Sequence, residues 1–220
     1  MTSSKLPREV HDARLVSITP DAEKQIVYMA RVSNPSNQNN LETAPRLIKY
    51  LIKHKHWSPF EMASMQVEIN TTRAVAAQVL RHRSFSYQEF SQRYSSVDQL
   101  GTVGLPHLRS QDLKNKQASH DDLDPVKVDL MEKQIQQLYH STFDYYEYLL
   151  SQGVAKECAR SILPLGTPTR LYMSGSIRSW IHYIQIRAGV ETQLEHRLIA
   201  QACKDIFEKE LPSVYEAAFT

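Results

Sequence analysis

The segment RHRSFSYQEFSQRY, residues 81–94, concentrates side chains that can donate hydrogen bonds or carry a proton. Between residues 71 and 94, four arginines (73, 81, 83 and 93) face one carboxylate, Glu89, so this stretch has a formal charge of +3 in a chain of +2. A guanidinium offers a rigid fork of donors that matches phosphate oxygens in pairs. The stretch therefore fits either a site for phosphorylated small molecules or a solvated basic face with structural salt bridges.

A second cationic set lies downstream and consists of Arg160, Arg170, Arg178, His182 and Arg187. Arg178 and His182 are four residues apart, which places them on one face of a helix. Arg187 is nine residues from Arg178, which at about 100° per residue is close to the opposite face. Either the helix lies between two sites, or sites are shared between subunits, or one arginine is a surface charge.

Glycine usage restricts how a nucleotide could be bound. The chain has six glycines and contains neither GxGxxG nor GxxxxGK[ST]. These are the phosphate-binding motifs of Rossmann and P-loop proteins, so both kinds of site are disfavoured. A nucleotide would have to be held by side chains and ordinary loops.

Three further groups are of residue types that can ligate metals or act as nucleophiles. The segment HKHWSPFE, residues 54–61, has two histidines and Glu61 but no further ligand at metal-site spacing, so packing or ligand stacking is favoured over a metal. Cys158 and Cys203 lie in helical contexts and predict neither a disulfide nor a nucleophile. No base is evident that could activate Ser91, which we interpret as a hydrogen-bond donor.

Composition predicts a single globular domain over residues 1–220. Hydrophobic residues make up 41 % and charged residues 23 % of the chain. A net charge of +2 gives no general need for nucleic acid or membrane. No apolar run reaches the roughly 18 residues of a membrane span, and the N-terminal MTSSKLPREVHD lacks the apolar core of a secretory signal. Two distant cysteines fit a cytoplasmic setting.

Apolar periodicity predicts the elements that must position these groups. Strands are predicted at about 14–19, 63–69 and 169–175, and helices at about 21–31, 42–55, 73–82, 126–151, 155–161, 176–187 and 192–210. Thr71 or Thr72 would cap the third helix, Gly153 would stop the fourth, and Thr192 with Glu195 would form a capping box. Residues 98–125 are polar and are predicted to be a surface excursion. The fold class is α+β, with helices packed on a small, mainly antiparallel sheet.

The order of these motifs resembles a known family. Arg81-His82-Arg83, then SFSYQEF, then Ser91 resembles the signature of the flavin-dependent thymidylate synthases. Similar stretches follow the family's order: ARVSNP (30–35), HKHWSPFE (54–61), AAQVLRHR (76–83), ECARSILP (157–164) and SGSIRSWIHYIQIR (174–187). The resemblance covers most of the chain and implies the fold of that family. Only residues 98–125 and the termini fall outside it.

The resemblance implies a reaction and an assembly. Thymidylate (dTMP) would be made from deoxyuridylate (dUMP), with 5,10-methylenetetrahydrofolate as one-carbon donor. FAD, reduced by NADPH, would supply the hydride, and no enzyme cysteine would attack the pyrimidine. The family is a homotetramer with FAD sites at subunit contacts. One helix could then serve two sites, which would reconcile Arg178 with Arg187.

The resemblance also implies the site residues. Those for dUMP are Gln78, Arg81, Glu89, Ser91, Gln92, Arg93, Arg160 and Arg187, with Arg187 the catalytic candidate that stabilises charge on the uracil ring. Those for FAD are Ser33, Ser58, Glu61, Arg81, His82, Arg83, Glu89, Ser176, Arg178 and His182. The chain departs from the family at Gln88, Ser176 and His182, where family members often or sometimes have Asn.

The alternative is a protein of another class, a non-catalytic nucleotide- or RNA-binding protein that uses the basic, aromatic loop at 81–94. Flavin absorbance in the purified protein would distinguish the two.

Overall fold

The computed structural model describes residues 5–220, so the N-terminal segment examined for a secretory signal begins outside the described residues. The chain forms two compact units. Unit one contains the described residues up to His11 together with Asn70–Val79 and Glu89–Leu171. Unit two contains Asp12–Ile69, Leu80–Gln88 and Tyr172–Thr220. One domain over residues 1–220 stays a prediction.

Six strands form two sheets. They are β1 Asp12–Ile18, β2 Ser64–Thr72, β3 Ser86–Glu89, β4 Ser110–Gln111, β5 Ser119–His120 and β6 Pro168–Ser176. The larger sheet has the order β1-β2-β6-β3 and is the small antiparallel sheet that the sequence predicts. The other sheet is an antiparallel pair in which Ser110 of β4 lies opposite His120 of β5. In β2 the side chains of Met65, Val67 and Ile69 are buried at every second position, which confirms the period-two prediction.

Eight α-helices complete the described fold. They are α1 Ala22–Ala30, α2 Ala44–Lys53, α3 Arg73–Val79, α4 Pro125–Ser151, α5 Lys156–Ala159, α6 Ile177–Arg187, α7 Leu194–Glu210 and α8 Pro212–Phe219. Short 3-10 turns occupy Pro35–Asn37, Ser58–Glu61, Val97–Leu100 and Arg160–Ile162. In unit two, α7 packs against β1, α6 and α8, and α8 packs against α2.

Helix α4 begins after an N-cap residue and ends before a glycine, both of residue types suited to those positions. The Asp124 carboxylate accepts hydrogen bonds from the backbone N–H groups of Val126 and Lys127 at 2.8 and 3.3 Å and caps the helix. Gly153 has a φ of 80°, a left-handed conformation that costs little only for glycine, so the predicted helix stop is confirmed.

The start of α3 is held differently from the prediction. The backbone N–H groups of Arg73 and Ala74 donate to the carbonyls of Thr167 and Leu165, each at 3.0 Å. These bonds satisfy donors that a threonine cap would otherwise serve. Thr71 instead lies in β2, where its hydroxyl pairs with His11 Nδ1 at 2.9 Å. The helix also ends at Val79, three residues before the predicted end.

Two other predictions are wrong in part. The capping box does not form, because the N-cap residue of α7 is Gln193, which makes no side-chain cap bond. The Thr192 hydroxyl donates to the Ile186 carbonyl at 3.3 Å instead. The excursion at 98–125 is mostly exposed, but Val103 and Leu105 are buried with Leu6 against α4. Helix α8 was not predicted, since its apolar pattern is short.

Gly175 of β6 provides a test of the packing in unit two. A Cβ atom there would lie 2.5 Å from Cδ1 of Phe85, so the phenyl ring would have to move. We expect Gly175→Ala to lower the free energy of unfolding by about 1–3 kcal/mol, as overpacking does, measured by urea denaturation. The control is Gly189→Ala, whose Cβ would meet only the Glu191 carboxylate at 2.9 Å. Equal stability of the two variants would contradict this packing.

Candidate functional site

A cavity of about 410 Å³ opens beside α6 in unit two. This volume lies within the range of about 300–1,000 Å³ that is typical of ligand pockets. Its lining residues come from α6, from the turn at Ser58–Glu61 and the residue before it, and from the loop that begins with the RHR motif: Trp57, Glu61, Ser84, Arg178, Ser179, Ile181, His182 and Gln185. The cavity therefore combines a cation, a carboxylate, hydroxyls and flat rings.

The N-terminus of α6 fixes the charged pair of this cavity. Ser176 is the N-cap, and its hydroxyl accepts from the Ser179 N–H at 3.3 Å. Arg178 Nη1 donates to Glu61 Oε1 at 2.8 Å. A hydrogen bond from Ser176, and then one from Arg178, lowers the pKa of Glu61, so this group stays a carboxylate. The half-exposed guanidinium keeps donors that can face a ligand.

The other end of α6 holds a second cation in different surroundings. Arg187 is half-buried, and its Nε donates to Nε2 of His82 at 3.0 Å. Because Nε2 accepts this bond, the proton of the neutral imidazole is on Nδ1. Burial, followed by the positive charge of Arg187, lowers the pKa of His82 to about 4. Within residues 5–220, Arg187 has no ion pair with a carboxylate, so its charge is available to a ligand.

Aromatic rings hold the loop at residues 81–85, which we call the RHR loop, against α6. The His82 ring meets Tyr183 edge-on at 4.9 Å, and Phe85 meets Trp180 edge-on at 4.9 Å. Trp180 Nε1 donates to the Met65 carbonyl at 3.0 Å. We call these four rings, together with His196 of α7, the aromatic cluster. The cluster fixes the loop, so that Ser84 and His82 are displayed at defined positions.

Unit one contains a second group of polar side chains. The Glu89 carboxylate accepts from Arg73 and from the Thr169 hydroxyl, the latter at 2.9 Å. Gln92 is buried, and its Nε2 has no hydrogen-bond partner among the residues that the structure describes. Arg93 pairs with Glu157 at 3.2 Å on the surface. A buried amide donor without a partner is costly unless a ligand supplies the acceptor.

The residues predicted for FAD fall into several environments. Glu61, Arg178 and His182 line the cavity. Ser58 belongs to the adjoining turn, and Ser176 caps α6. Arg81 and Arg83 are exposed, as is Ser33, which follows α1 and does not line the cavity. Glu89 lies in unit one.

The residues predicted for dUMP divide between the two units. Unit one holds Gln78, Glu89, Ser91, Gln92, Arg93 and Arg160, and unit two holds Arg81 and Arg187. Gln78 lies on α3, and Arg160 begins the turn after α5. Ser91 is exposed, and its carbonyl accepts from the N–H groups of Tyr94 and Ser95 at 3.0 Å.

Several residues that line the cavity or pack beside His82 are not among those predicted from the sequence. Trp57 and Ser84 line the cavity and lie in segments that already resembled the family. Ser179 is one helical turn from Ser176 and could have been found by that spacing. His196 and Tyr183 are buried beside His82. No local pattern distinguishes these two from ordinary core residues.

Within residues 5–220, no group of three or more His, Cys, Asp or Glu side chains could hold a metal ion. Cys203 is buried, which raises the pKa of its thiol, and Cys158 is exposed on α5. His54 and His56 lie beside Tyr50, with ring centroids 4.3 and 5.9 Å from it. No helix within residues 5–220 is both long and apolar enough to cross a membrane.

Comparison with known proteins identifies the class. A family model described as thymidylate synthase complementing protein matches residues 14–213. A probable flavin-dependent thymidylate synthase of Paramecium bursaria Chlorella virus 1 is 51 % identical over 212 residues, covering 93 % of this chain and 97 % of the viral protein. A flavin-dependent thymidylate synthase of Synechocystis sp. is 46 % identical over 216 residues, covering 94 % of this chain and 98 % of the Synechocystis protein.

A solved structure has the same fold. The UMP/dUMP methylase PolB from Streptomyces cacaoi, bound with 5-Br dUMP, superposes with a TM-score of 0.82 at 26 % identity and covers 96 % of each chain. The chain belongs to the family of flavin-dependent thymidylate synthases. The predicted family, the fold class and the prediction of an enzyme of this family are thereby confirmed.

The buried His196 and the half-buried His82 predict a pH dependence of stability. Burial, followed by the charges of Arg187 and His82, lowers the pKa of His196 to about 3, and the pKa of His82 is about 4. The unfolded chain takes up protons at both groups below about pH 6.5, whereas the folded chain does not. Their contribution to stability is therefore complete above pH 6.5 and is lost as the pH falls toward the folded values.

We expect His196→Gln, which cannot titrate, to reduce the stability lost between pH 7 and pH 5 by on the order of 1–2 kcal/mol. Urea denaturation at both pH values measures this difference. The control is His140→Gln, which replaces an exposed histidine of α4. The prediction fails if both variants lose as much stability as the parent.

Proposed function

We propose that this chain makes dTMP from dUMP, with 5,10-methylenetetrahydrofolate as one-carbon donor and NADPH as reductant. Family membership supports flavin-dependent methylation of a pyrimidine nucleotide. The structurally similar PolB is described as a UMP/dUMP methylase. The observation that carries the proposal is Arg187, a half-buried cation that is bonded to a neutral imidazole and has no carboxylate partner among the described residues.

The donor set of the α6 cavity fits FAD. Arg178 supplies a cation for a diphosphate, the hydroxyls of Ser84 and Ser179 supply donors, and Trp57 and His182 supply flat rings for stacking. The exposed Arg81 and Arg83 add positive charge in unit two. Ser33, Ser58, Glu61, His82, Glu89 and Ser176 complete the set that the family resemblance implies. When bound, FAD would take a hydride from NADPH and supply it to the one-carbon unit.

The proposed dUMP residues match the chemistry of a nucleotide monophosphate. Arg81, Arg93 and Arg160 offer guanidinium forks to the phosphate. The unpartnered Nε2 of buried Gln92 offers a donor to an acceptor on the nucleotide. Gln78, Glu89 and Ser91 would hold the rest of the molecule.

Arg187 would act on the uracil ring. Methylation at carbon requires negative charge to develop on the ring and its carbonyl oxygens, and a guanidinium beside these atoms stabilises that charge. A carboxylate partner would neutralise much of the effect. The neutral His82 orients the guanidinium through Nε and leaves its charge intact.

The remaining parts of the proposal concern nucleophile and assembly. Neither cysteine would attack the pyrimidine, as the family resemblance implies. For Cys203 the structure supports this, since its thiol is buried and its raised pKa disfavours the thiolate. We propose a cytoplasmic homotetramer in which active sites are shared between subunits. This arrangement would let the two ends of α6 serve two different sites.

The function is tested on the purified parent protein. Its absorbance spectrum should show a bound flavin, and dTMP should form from dUMP only when methylenetetrahydrofolate and NADPH are both present. A colourless protein that adds no methyl group to dUMP but binds single-stranded RNA would favour the non-catalytic alternative. Sedimentation velocity would report whether the protein is a tetramer.

Cysteine substitutions test the noncovalent route. Cys158→Ala and Cys203→Ala should each keep turnover within a few-fold of the parent rate. The Cys203 variant should also lose on the order of 1 kcal/mol of stability, because it leaves a small buried cavity. Steady-state dTMP formation on folded protein measures this. A loss of several orders of magnitude in either variant would restore a covalent mechanism.

Substitution of Arg187 tests its role on the pyrimidine. Arg187→Ala should keep its flavin and still be reduced by NADPH, but it should lose dUMP affinity and dTMP formation. The combined loss should be about 3 kcal/mol or more, as expected for a charged contact in a desolvated site. Arg187→Lys should rescue poorly, because an ammonium lacks the planar fork.

A dUMP titration of the flavin spectrum, with single-turnover product formation, measures both effects. Arg178→Ala is the contrasting variant, and we expect it to lose flavin. Normal dUMP binding and a parent rate in Arg187→Ala would make Arg187 a surface charge.

A further inference from the structure

We propose that His196 and Tyr183 are positioning residues that hold the His82–Arg187 pair in the orientation needed to bind the pyrimidine nucleotide. The inference rests on the proposed function for the identity of that ligand. It assigns a role to two buried residues that do not line the cavity and are not among the site residues implied by the family resemblance.

His196 is an unusual core residue. Its exposed fraction is 0 %, and its Nδ1 has no hydrogen-bond partner among residues 5–220. Its Nε2 lies 3.1 Å from the Tyr183 hydroxyl. A buried polar atom without a partner costs stability, and an apolar side chain would pack there without that cost. Packing alone therefore does not explain a histidine at this position.

Ring contacts connect His196 to the C-terminal end of α6, where Arg187 lies. The His82 ring is met edge-on by Tyr183 at 4.9 Å and 86° and by His196 at 6.0 Å and 82°. These two rings come from α6 and α7, which pack together. The Tyr183 ring, which its hydrogen bond to His196 holds in place, fixes the plane of the His82 ring. The bond from Arg187 Nε to His82 Nε2 in turn orients the guanidinium.

The His196–Tyr183 bond joins one donor to one acceptor, and the tautomer of His196 decides which side donates. In either tautomer Nε2 bonds the Tyr183 oxygen and Nδ1 has no partner among residues 5–220, so this single bond holds the two side chains together. Burial lowers the pKa of this histidine, so the ring is neutral and adds no charge that would repel a second cation beside Arg187.

Three variants separate the hydrogen bond from the ring. His196→Leu removes the ring nitrogen, Tyr183→Phe removes the hydroxyl but keeps the ring, and His196→Gln can still place an amide group near the Nε2 position, where it can donate or accept. On the FAD-loaded enzyme, His196→Leu and Tyr183→Phe should each weaken dUMP binding about five- to tenfold, the effect of one lost positioning hydrogen bond. His196→Gln should stay within about twofold of the parent.

The double variant His196→Leu/Tyr183→Phe should bind dUMP no more weakly than either single variant, because both remove the same bond. Flavin content should be unchanged in all of them, since neither substituted residue belongs to the set proposed for FAD and the Arg178–Glu61 pair lies at the first turn of α6. Calorimetric titration with dUMP gives the affinity independently of turnover. The ¹⁵N shifts of His82 report its tautomer, which should be Nδ1–H alone in the parent and mixed in His196→Leu.

Phe207→Leu is the matched control, because Phe207 is equally buried on α7 but lies against Phe219. It should lower the melting temperature without changing dUMP affinity or the His82 tautomer. If His196→Leu behaves like this control, the histidine only packs and the inference is overturned. A parent enzyme that neither binds nor methylates dUMP would instead overturn the proposed function, so the two failures can be told apart.

Discussion

Arg187 is bonded through its Nε to a neutral imidazole, and the chemistry proposed for this chain depends on that contact. A guanidinium paired with a carboxylate, as Arg178 is with Glu61, keeps donors for a ligand but offers it less net charge. A guanidinium with no partner would be free to rotate toward solvent. A neutral acceptor at Nε orients the group and leaves its charge for the ligand. His82 can serve because its pKa of about 4 keeps it neutral near pH 7.

The neutrality of His82 is itself a product of packing. Its ring is enclosed by Tyr183 and His196, and Phe85 fixes the same loop against Trp180. The close approach of Phe85 requires a residue without a side chain in β6, which is why Gly175 lies there. Strand β6, helices α6 and α7 and the loop with Phe85 thus together lower the pKa of His82. Apolar burial in unit two supports the electrostatics of the site.

The sequence was informative where one local rule decides the structure. Alternating Met65, Val67 and Ile69 specified β2, and the spacing of Arg178 and Arg187 correctly indicated different surroundings. Prediction from the sequence is wrong where contacts between residues far apart in the chain decide the local structure. Two carbonyls far along the chain replaced the threonine cap of α3, and Leu6 buries Val103 within a polar segment. His196 matters through contacts across helices, which no single-sequence pattern displays.

The two cations of α6 show why one helix can support two kinds of chemistry. Arg178 lies in the first turn, where the positive end of the helix dipole disfavours a cation. The carboxylate of Glu61 offsets this cost and neutralises part of its charge. Arg187 lies in the last turn, where the negative end of the dipole favours a cation. It can therefore be half-buried without a carboxylate among the described residues, and its charge is left for the pyrimidine substrate that we propose.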